Sequence, residues 1–305
     1  MTLNIERVIA KELDVRERQI TAAVELLDGG ATVPFISRYR KEITGGLDDT
    51  QLRKLEERLG YLRELEVRRE AVLSSILEQG KLTPELEIAI IAAETKVRLE
   101  DLYLPFKQKR RTKAQIALEA GIEPLADSLI SDPCLEPFDE ALAYINKDEK
   151  FKTAFEDAKG VLDGAKYILM ERFAEDAELL QSIRDFMSHN TVIFSNVVSG
   201  KEKDAAKYRD YFDLRDKFQG IPSHRALAML RGRREGVLQL RIDVVVPDDQ
   251  VHPCISMIGN HFDISHHDRA ADDWLAEVVS WTWRVKLQLH QETELMSAMR
   301  AAAEE

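Results

Sequence analysis

Residues Thr50–Gln79 read TQLRKLEERLGYLRELEVRREAVLSSILEQ. Leu52, Leu55, Leu59, Leu62 and Leu65 recur at steps of three and four, and Val72, Leu73, Ile76 and Leu77 continue the row. That spacing lays one apolar stripe along a helix. Arg and Glu fill the other face, with i,i+4 pairs such as Glu64–Arg68; Glu66–Glu70 is like-charged, so the pattern is not optimised. Asp48 or Asp49 caps the start and Gly80 the end. At 1.5 Å per residue the rod is roughly 45 Å long. Its heptads are too irregular for a coiled-coil seam. The stretch therefore predicts a strut packed by neighbouring helices.

Composition extends that reading to the whole chain of 305 residues. Charged residues make up 32%, above the average of about 25%, while Gly (14) and Pro (9) are sparse. Straight-chain residues lose little rotamer freedom in a helix, so the expected fold is mainly α. The chain reads as an elongated multi-helix assembly around a long central helix. Two regions are expected. Residues 1–190 form a helical N-terminal region with the long helix at about 50–79 and a basic elbow at 107–113. Residues 191–305 form a mixed region ending in a long amphipathic helix.

Within the second region Val237–Val246, VLQLRIDVVV, alternates with β-branched residues and supplies a minor β element. TVIFSNVVSG (Thr191–Gly200) fits strand or helix, and Lys201–Gln219 fits an ordered loop or a ragged helix. Phe151–Arg172 reads as one helix, in which Gly160 and Gly164 either admit a close partner or are merely tolerated. From Arg269 to Arg300, Trp274, Leu275, Val278, Trp281, Val285 and Leu289 share one helical face.

Cys134 and Cys254 belong to no CxxC pair, which suggests a reduced compartment. The N-terminus lacks a signal-peptide core and no run reaches the ~20 apolar residues of a membrane span. A cytoplasmic location, with no membrane partner, is expected.

The candidate binding residues are cations. LEDLYLPFKQKRRTK (Leu99–Lys113) runs from an apolar half into Lys107, Lys109, Arg110, Arg111 and Lys113, with no acid among the last seven residues of a chain whose net charge is -12. Pro105 ends the helix and leaves the basic half as an exposed elbow. Such a sign reversal points to phosphate contact. If all five cations neutralised phosphates, the salt slope of binding would be about -4 to -5. The competing reading pairs them with acids of the long helix. Arg38, Arg40 and Lys41 form a second cluster. Arg231, Arg233 and Arg234 form a third, where cations also suit the negative end of a helix. Ala117, Gly121 and Ile122 fit the first helix and turn of a helix-turn-helix, although Asp127 departs from that pattern.

His252, His261, His266 and His267 lie near Cys254, Asp263 and Asp268 and are donors of the kind zinc takes. Their spacing matches neither HExxH nor a paired-cysteine site, and no metal or other cofactor is expected. No Walker A loop, GxGxxG, GxSxG elbow or Cys–His signature occurs. No catalytic residue is assigned, and the expectation is a chain that is not an enzyme.

Several blocks, in order, carry a resemblance: TVPFISRYRKEITGGLDDTQLRKLEERLGYLREL (Thr32–Leu65), KVRLEDLYLPFKQKRRTKAQIALEAGIEPLA (Lys96–Ala126), GAKYILMERFAEDAELL (Gly164–Leu180), PSHRALAMLRGRREGVL (Pro222–Leu238), HPC (His252–Cys254) and AADDWLAEVV (Ala270–Val279). From about residue 5 to 290 the chain resembles the N-terminal half of the bacterial Tex family, the transcription accessory proteins. The resemblance implies a helical, elongated fold similar to the core of a eukaryotic transcription elongation factor, and nucleic-acid binding. It also implies RNase-H-like, helix-hairpin-helix and OB-fold modules beyond this region, so the chain is expected to be an N-terminal piece whose missing C-terminal modules pack on 269–300. The expected function is a non-enzymatic helical scaffold of a transcription-associated protein, touching RNA or DNA backbone weakly and without sequence specificity. A module docking on transcription machinery and a metal-dependent hydrolase at the histidine loop are the alternatives.

Overall fold

The computed structural model describes residues 4–146, 148, 150–247 and 249–304. They fold as two compact units that meet in sequence between Phe106 and Lys107. The fold is mainly α, with one small sheet.

The first unit holds α1 (Ile5–Glu12), α2 (Glu17–Asp28), α3 (Val33–Tyr39), α4 (Asp49–Glu78), α5 (Pro84–Ala92) and α6 (Lys96–Tyr103). Helix α4 is the predicted strut, and the other five all pack on it. Asp48 accepts from the Gln51 N–H at 2.7 Å while the Gln51 side chain accepts from the Asp48 N–H at 3.0 Å, a reciprocal cap that fixes the start. Leu52, Leu55, Leu59, Leu62, Leu65, Val72 and Ile76 are buried as expected. Leu77 is not: it is 65% exposed. The stripe continues through Arg69, which is 4% exposed. A helical step of four from Leu65 reaches position 69, so the cation stands where the period demands burial. Its guanidinium donates to the Ile90 carbonyl at 3.1 Å and the Ala93 carbonyl at 2.6 Å, and pairs with Glu66. Arg69 thus caps the C-terminal end of α5, where carbonyls lack helical partners.

The second unit begins with the elbow and holds α7 (Lys113–Glu119), α8 (Glu123–Ser131), α9 (Pro137–Ala141), α10 (Lys152–Phe155), α11 (Ala158–Ala174), α12 (Ala177–Asn190), β1 (Thr191–Val197), β2 (Leu214–Lys217), α13 (Ser223–Arg234), β3 (Leu238–Val244), α14 (Pro253–His261), α15 (Asp272–Trp281) and α16 (Gln288–Glu304). The expected single helix 151–172 is broken at Asp157, whose side chain accepts from the Gly160 N–H at 2.7 Å and starts α11 anew. Helix α11 is the axis of this unit and touches α7, α8, α9 and α15. Gly164 lets α7 approach, since a Cβ there would stand 3.2 Å from that of Ala117 and 2.9 Å from the Phe155 ring. Helices α7 and α8, the helix-turn-helix candidates, both lie on α11.

The sheet has the order β2-β1-β3, antiparallel throughout, with Ile193 opposite Ile242 and Val192 opposite Lys217. Helix α12 runs directly into β1 near residue 190. Strand β3 is the predicted β element, β1 resolves the ambiguity at Thr191, and β2 lies inside the stretch read as loop or helix.

The C-terminal helix is not one regular rod. A π-helical turn at Thr282–Leu287 joins α15 to α16. The wider turn shifts the helix face. The buried row therefore runs through Leu275, Val278, Trp283, Leu287 and Leu295, and Trp281, Val285 and Leu289 are left exposed. That corrects the single shared face read from periodicity.

Candidate nucleic-acid interface

The elbow, residues 107–112, is irregular and leads into α7, whose N-cap Thr112 accepts from the Gln115 N–H at 3.1 Å. Its five cations have separate fates. Lys107 is half-buried. Lys109 inserts between two carboxylates of the α11 end, ion-pairing with Glu175 and, at 3.3 Å, with Glu171. Burial pushes the Glu175 carboxyl above its ordinary value, with Lys109 opposing. Arg111 forks onto Glu119, Nε to Oε1 at 3.2 Å and Nη2 to Oε2 at 2.6 Å, and that hydrogen bond lowers the Glu119 carboxyl. Lys113 donates to the Tyr167 hydroxyl at 3.2 Å and lies over its ring. Arg110 is exposed and has no acidic partner among the described residues. Glu119 of α7 engages Arg111, and Glu171 of α11 with Glu175 at its C-cap engages Lys109.

The second cluster surrounds the end of α3. Arg38, Arg40 and Lys41 are exposed, and Arg38 and Lys41 have no ion-pair partner among the described residues. Arg40 lies over the Phe35 ring at 5.3 Å, and Phe35 meets Tyr39 with ring centroids 5.4 Å apart. Phe35, Tyr39 and Ile43 are exposed as well. Together with Glu42, Gly45 and Gly46 most of these residues line one shallow depression. The loop beneath is pinned. Thr44 and Leu47 are buried, and Gln19 donates through Nε2 to the Gly45 carbonyl at 2.9 Å. Gly45 and Gly46 both take positive φ, +62° and +94°, which returns the chain to α4 without steric cost.

Arg231, Arg233 and Arg234 are exposed at the C-terminal end of α13, as a helix dipole favours. They share a groove with Leu227, Leu230, Arg300 and Glu304 on the side where α13 packs on α16. Glu235, beside Arg231, is held by Lys207 at 2.8 Å.

The histidines do not converge. His252 caps α14 by accepting from the Cys254 N–H at 3.2 Å, pairs with Asp243 at 3.0 Å and stacks on Trp283. Burial alone would raise the Asp243 carboxyl, but the His252 hydrogen bond and the Val244 N–H hold it below its ordinary value. His261 pairs with Asp176, His266 with Asp273, and His267 with Ser265. Among the described residues no three His, Cys, Asp or Glu side chains form a metal-holding group. Burial pushes the Cys254 thiol up to about 12, whereas Cys134 is exposed. No helix among the described residues is long and apolar enough to cross a membrane.

Two features around the candidate cations lie beyond the sequence reading. One is the aromatic pair Phe35–Tyr39 beside the second cluster, signalled by the i,i+4 spacing. The other is the identity of the groups that engage three elbow cations: the competing reading named acids of the long helix, whereas Arg111 meets Glu119 eight residues on and Lys109 and Lys113 meet Glu171, Glu175 and Tyr167 more than 50 residues on.

Residues 3–77 match the Tex-like protein N-terminal domain and residues 132–305 the Tex central region. The chain belongs to the Tex family. It is 56% identical over 98% of its length to Protein YhgF of Escherichia coli (strain K12), and 50% identical over 99% to the transcriptional accessory protein Tex of Neisseria gonorrhoeae. It is also 29% identical over 84% to the S1 RNA-binding domain-containing protein 1 of Pongo abelii. The chain spans 39% of the length of each of the first two relatives and 26% of the third.

Proposed function

We propose that this chain is a non-enzymatic helical scaffold within a transcription-associated nucleic-acid-binding protein, and that it touches RNA or DNA backbone weakly and without sequence specificity. The observation that carries this is that Arg38, Arg40, Lys41, Arg110 and Lys113 are exposed and form no ion pair with an acid among the described residues, in a chain of net charge -12. A solvated cation that is not neutralised within its own chain is free to displace a phosphate counterion. Two relatives named for transcription and for RNA binding support the same reading.

The geometry ranks the clusters. Lys109 and Arg111 must leave carboxylates before meeting phosphate, so the elbow contributes chiefly through Arg110 and Lys113. The α3 cluster keeps Arg38 and Lys41 available and ranks first. The absence of chemistry is the second half of the proposal. Titrating salt against binding of single-stranded RNA and of duplex DNA, each in two unrelated sequences, tests it. Binding that weakens with salt and ignores sequence, with both polymers left intact, is the expected result. Salt-independent binding, or cleavage of either polymer, would refute it.

A second reading has its own observation. Trp281, Val285 and Leu289 present an apolar row on the C-terminal helical segment, and Lys166 lies over the Trp281 ring. In the longer relatives such a row suits packing by further modules on 269–300, or docking on transcription machinery.

A further inference from the structure

The α3 patch differs from the other basic clusters in one respect: its cations are interleaved with exposed aromatic rings. Phe35 is 40% exposed and Tyr39 66%. With Ile43, 56% exposed, they form a contiguous apolar patch, the kind of exposed surface that marks an interaction site. Arg38, Arg40 and Lys41 line the same depression as Tyr39, together with Glu42. Duplex nucleic acid presents phosphates outward and hides its base faces in the stack. A single strand presents both, and every base has a face that can stack on an aromatic side chain. We infer that this patch is a single-strand site, with Phe35 and Tyr39 receiving bases and Arg38 and Lys41 the flanking phosphates.

Three further facts support that occupant. The platform is preorganised, because Gln19 holds the Gly45 carbonyl and Thr44 and Leu47 are anchored in the core. Little ordering of the loop is then required on binding. Arg40 already lies against one face of Phe35 and steadies the ring. The rings are tilted by 45° and stand 5.4 Å apart, so they do not stack on each other and leave aromatic faces to a ligand. An acidic protein segment would satisfy the charges, but it makes no particular use of two adjacent rings.

The inference rests on the nucleic-acid reading above and narrows it. The test measures the chain against a fluorescent oligouridine of about 15 nucleotides and a duplex DNA of like length. The variants are Phe35→Ala/Tyr39→Ala, Phe35→Trp/Tyr39→Phe and Arg38→Ala/Lys41→Ala, each checked for an unaltered melting temperature. Loss of both rings is expected to weaken oligouridine binding at least about fivefold, with duplex binding changed less than about twofold. The aromatic-preserving variant is expected to bind like the parent. Loss of the two cations is expected to weaken both ligands and to flatten the oligouridine salt slope by up to about 1.4. Oligouridine binding that survives removal of the rings, or an equal loss for both ligands, overturns the inference and leaves backbone contact standing. A parent chain that binds neither ligand overturns backbone contact as well, and the patch then falls to a protein partner.

Discussion

Lys109→Met separates the structural role of the elbow from its binding role. The Lys109 side chain is 25% exposed and lies between Glu171 and Glu175, which are 18% and 16% exposed. Removing the cation leaves two largely buried carboxylates on neighbouring turns of α11, with Lys286 at 3.7 Å from Glu171 as remaining compensation. A charged hydrogen bond lost in such a setting costs about 2–3 kcal/mol. For a unit of this size that lowers the melting temperature by roughly 5–10 °C. The sign with pH follows from Glu175. Its folded carboxyl already titrates above the ordinary 4.5, chiefly through burial. A group with a raised folded value binds more protons in the native state, so its contribution to stability grows as pH falls. Without Lys109 the upward shift is larger, and the deficit shrinks on acidification through the range just above 4.5. Adding Glu175→Gln removes the unpaired charge and recovers most of the loss near neutrality. Thermal unfolding at several pH values, followed by circular dichroism, reads all three effects. A Lys109→Met deficit below about 0.5 kcal/mol, or one that does not vary with pH, would refute the clamp and return Lys109 to the pool of free cations.

Arg69→Met is expected to destabilise the first unit by about 3 kcal/mol, because two α5 carbonyls and Glu66 lose a buried cation; adding Glu66→Leu should restore much of it in denaturant titrations. Gly164→Val forces a side chain against Phe155, Ile122 and Ala117 and is expected to cost about 1–3 kcal/mol by the same measurement. Native thiol titration near neutral pH should count Cys134 alone, with Cys254 reacting only in denaturant, since its buried thiol is held up to about 12.

The long helix was legible because period, caps and charge all agree along one uninterrupted stretch, and β3 because its β-branched alternation is local. What stayed hidden depends on distance in sequence. Leu77 is apolar but falls off the buried period, and Arg69 falls on it but is charged; the carbonyls that accept from Arg69 lie over 20 residues away. The π turn at Thr282–Leu287 inserts no proline or glycine to announce itself, so the exposed row at Trp281, Val285 and Leu289 read as core. At the candidate site, cation identity was visible but cation availability was not. Whether Lys109 can meet a phosphate depends on Glu171 and Glu175, more than 60 residues onward.

The most direct measurement of the account is the salt slope of duplex DNA binding by the parent chain and by Arg38→Ala/Lys41→Ala/Arg110→Ala. The account predicts a negative slope that the three substitutions flatten by up to about 2.7, at about 0.9 per phosphate contact. A slope of zero in the parent chain, or one that the three substitutions leave where it was, would contradict it.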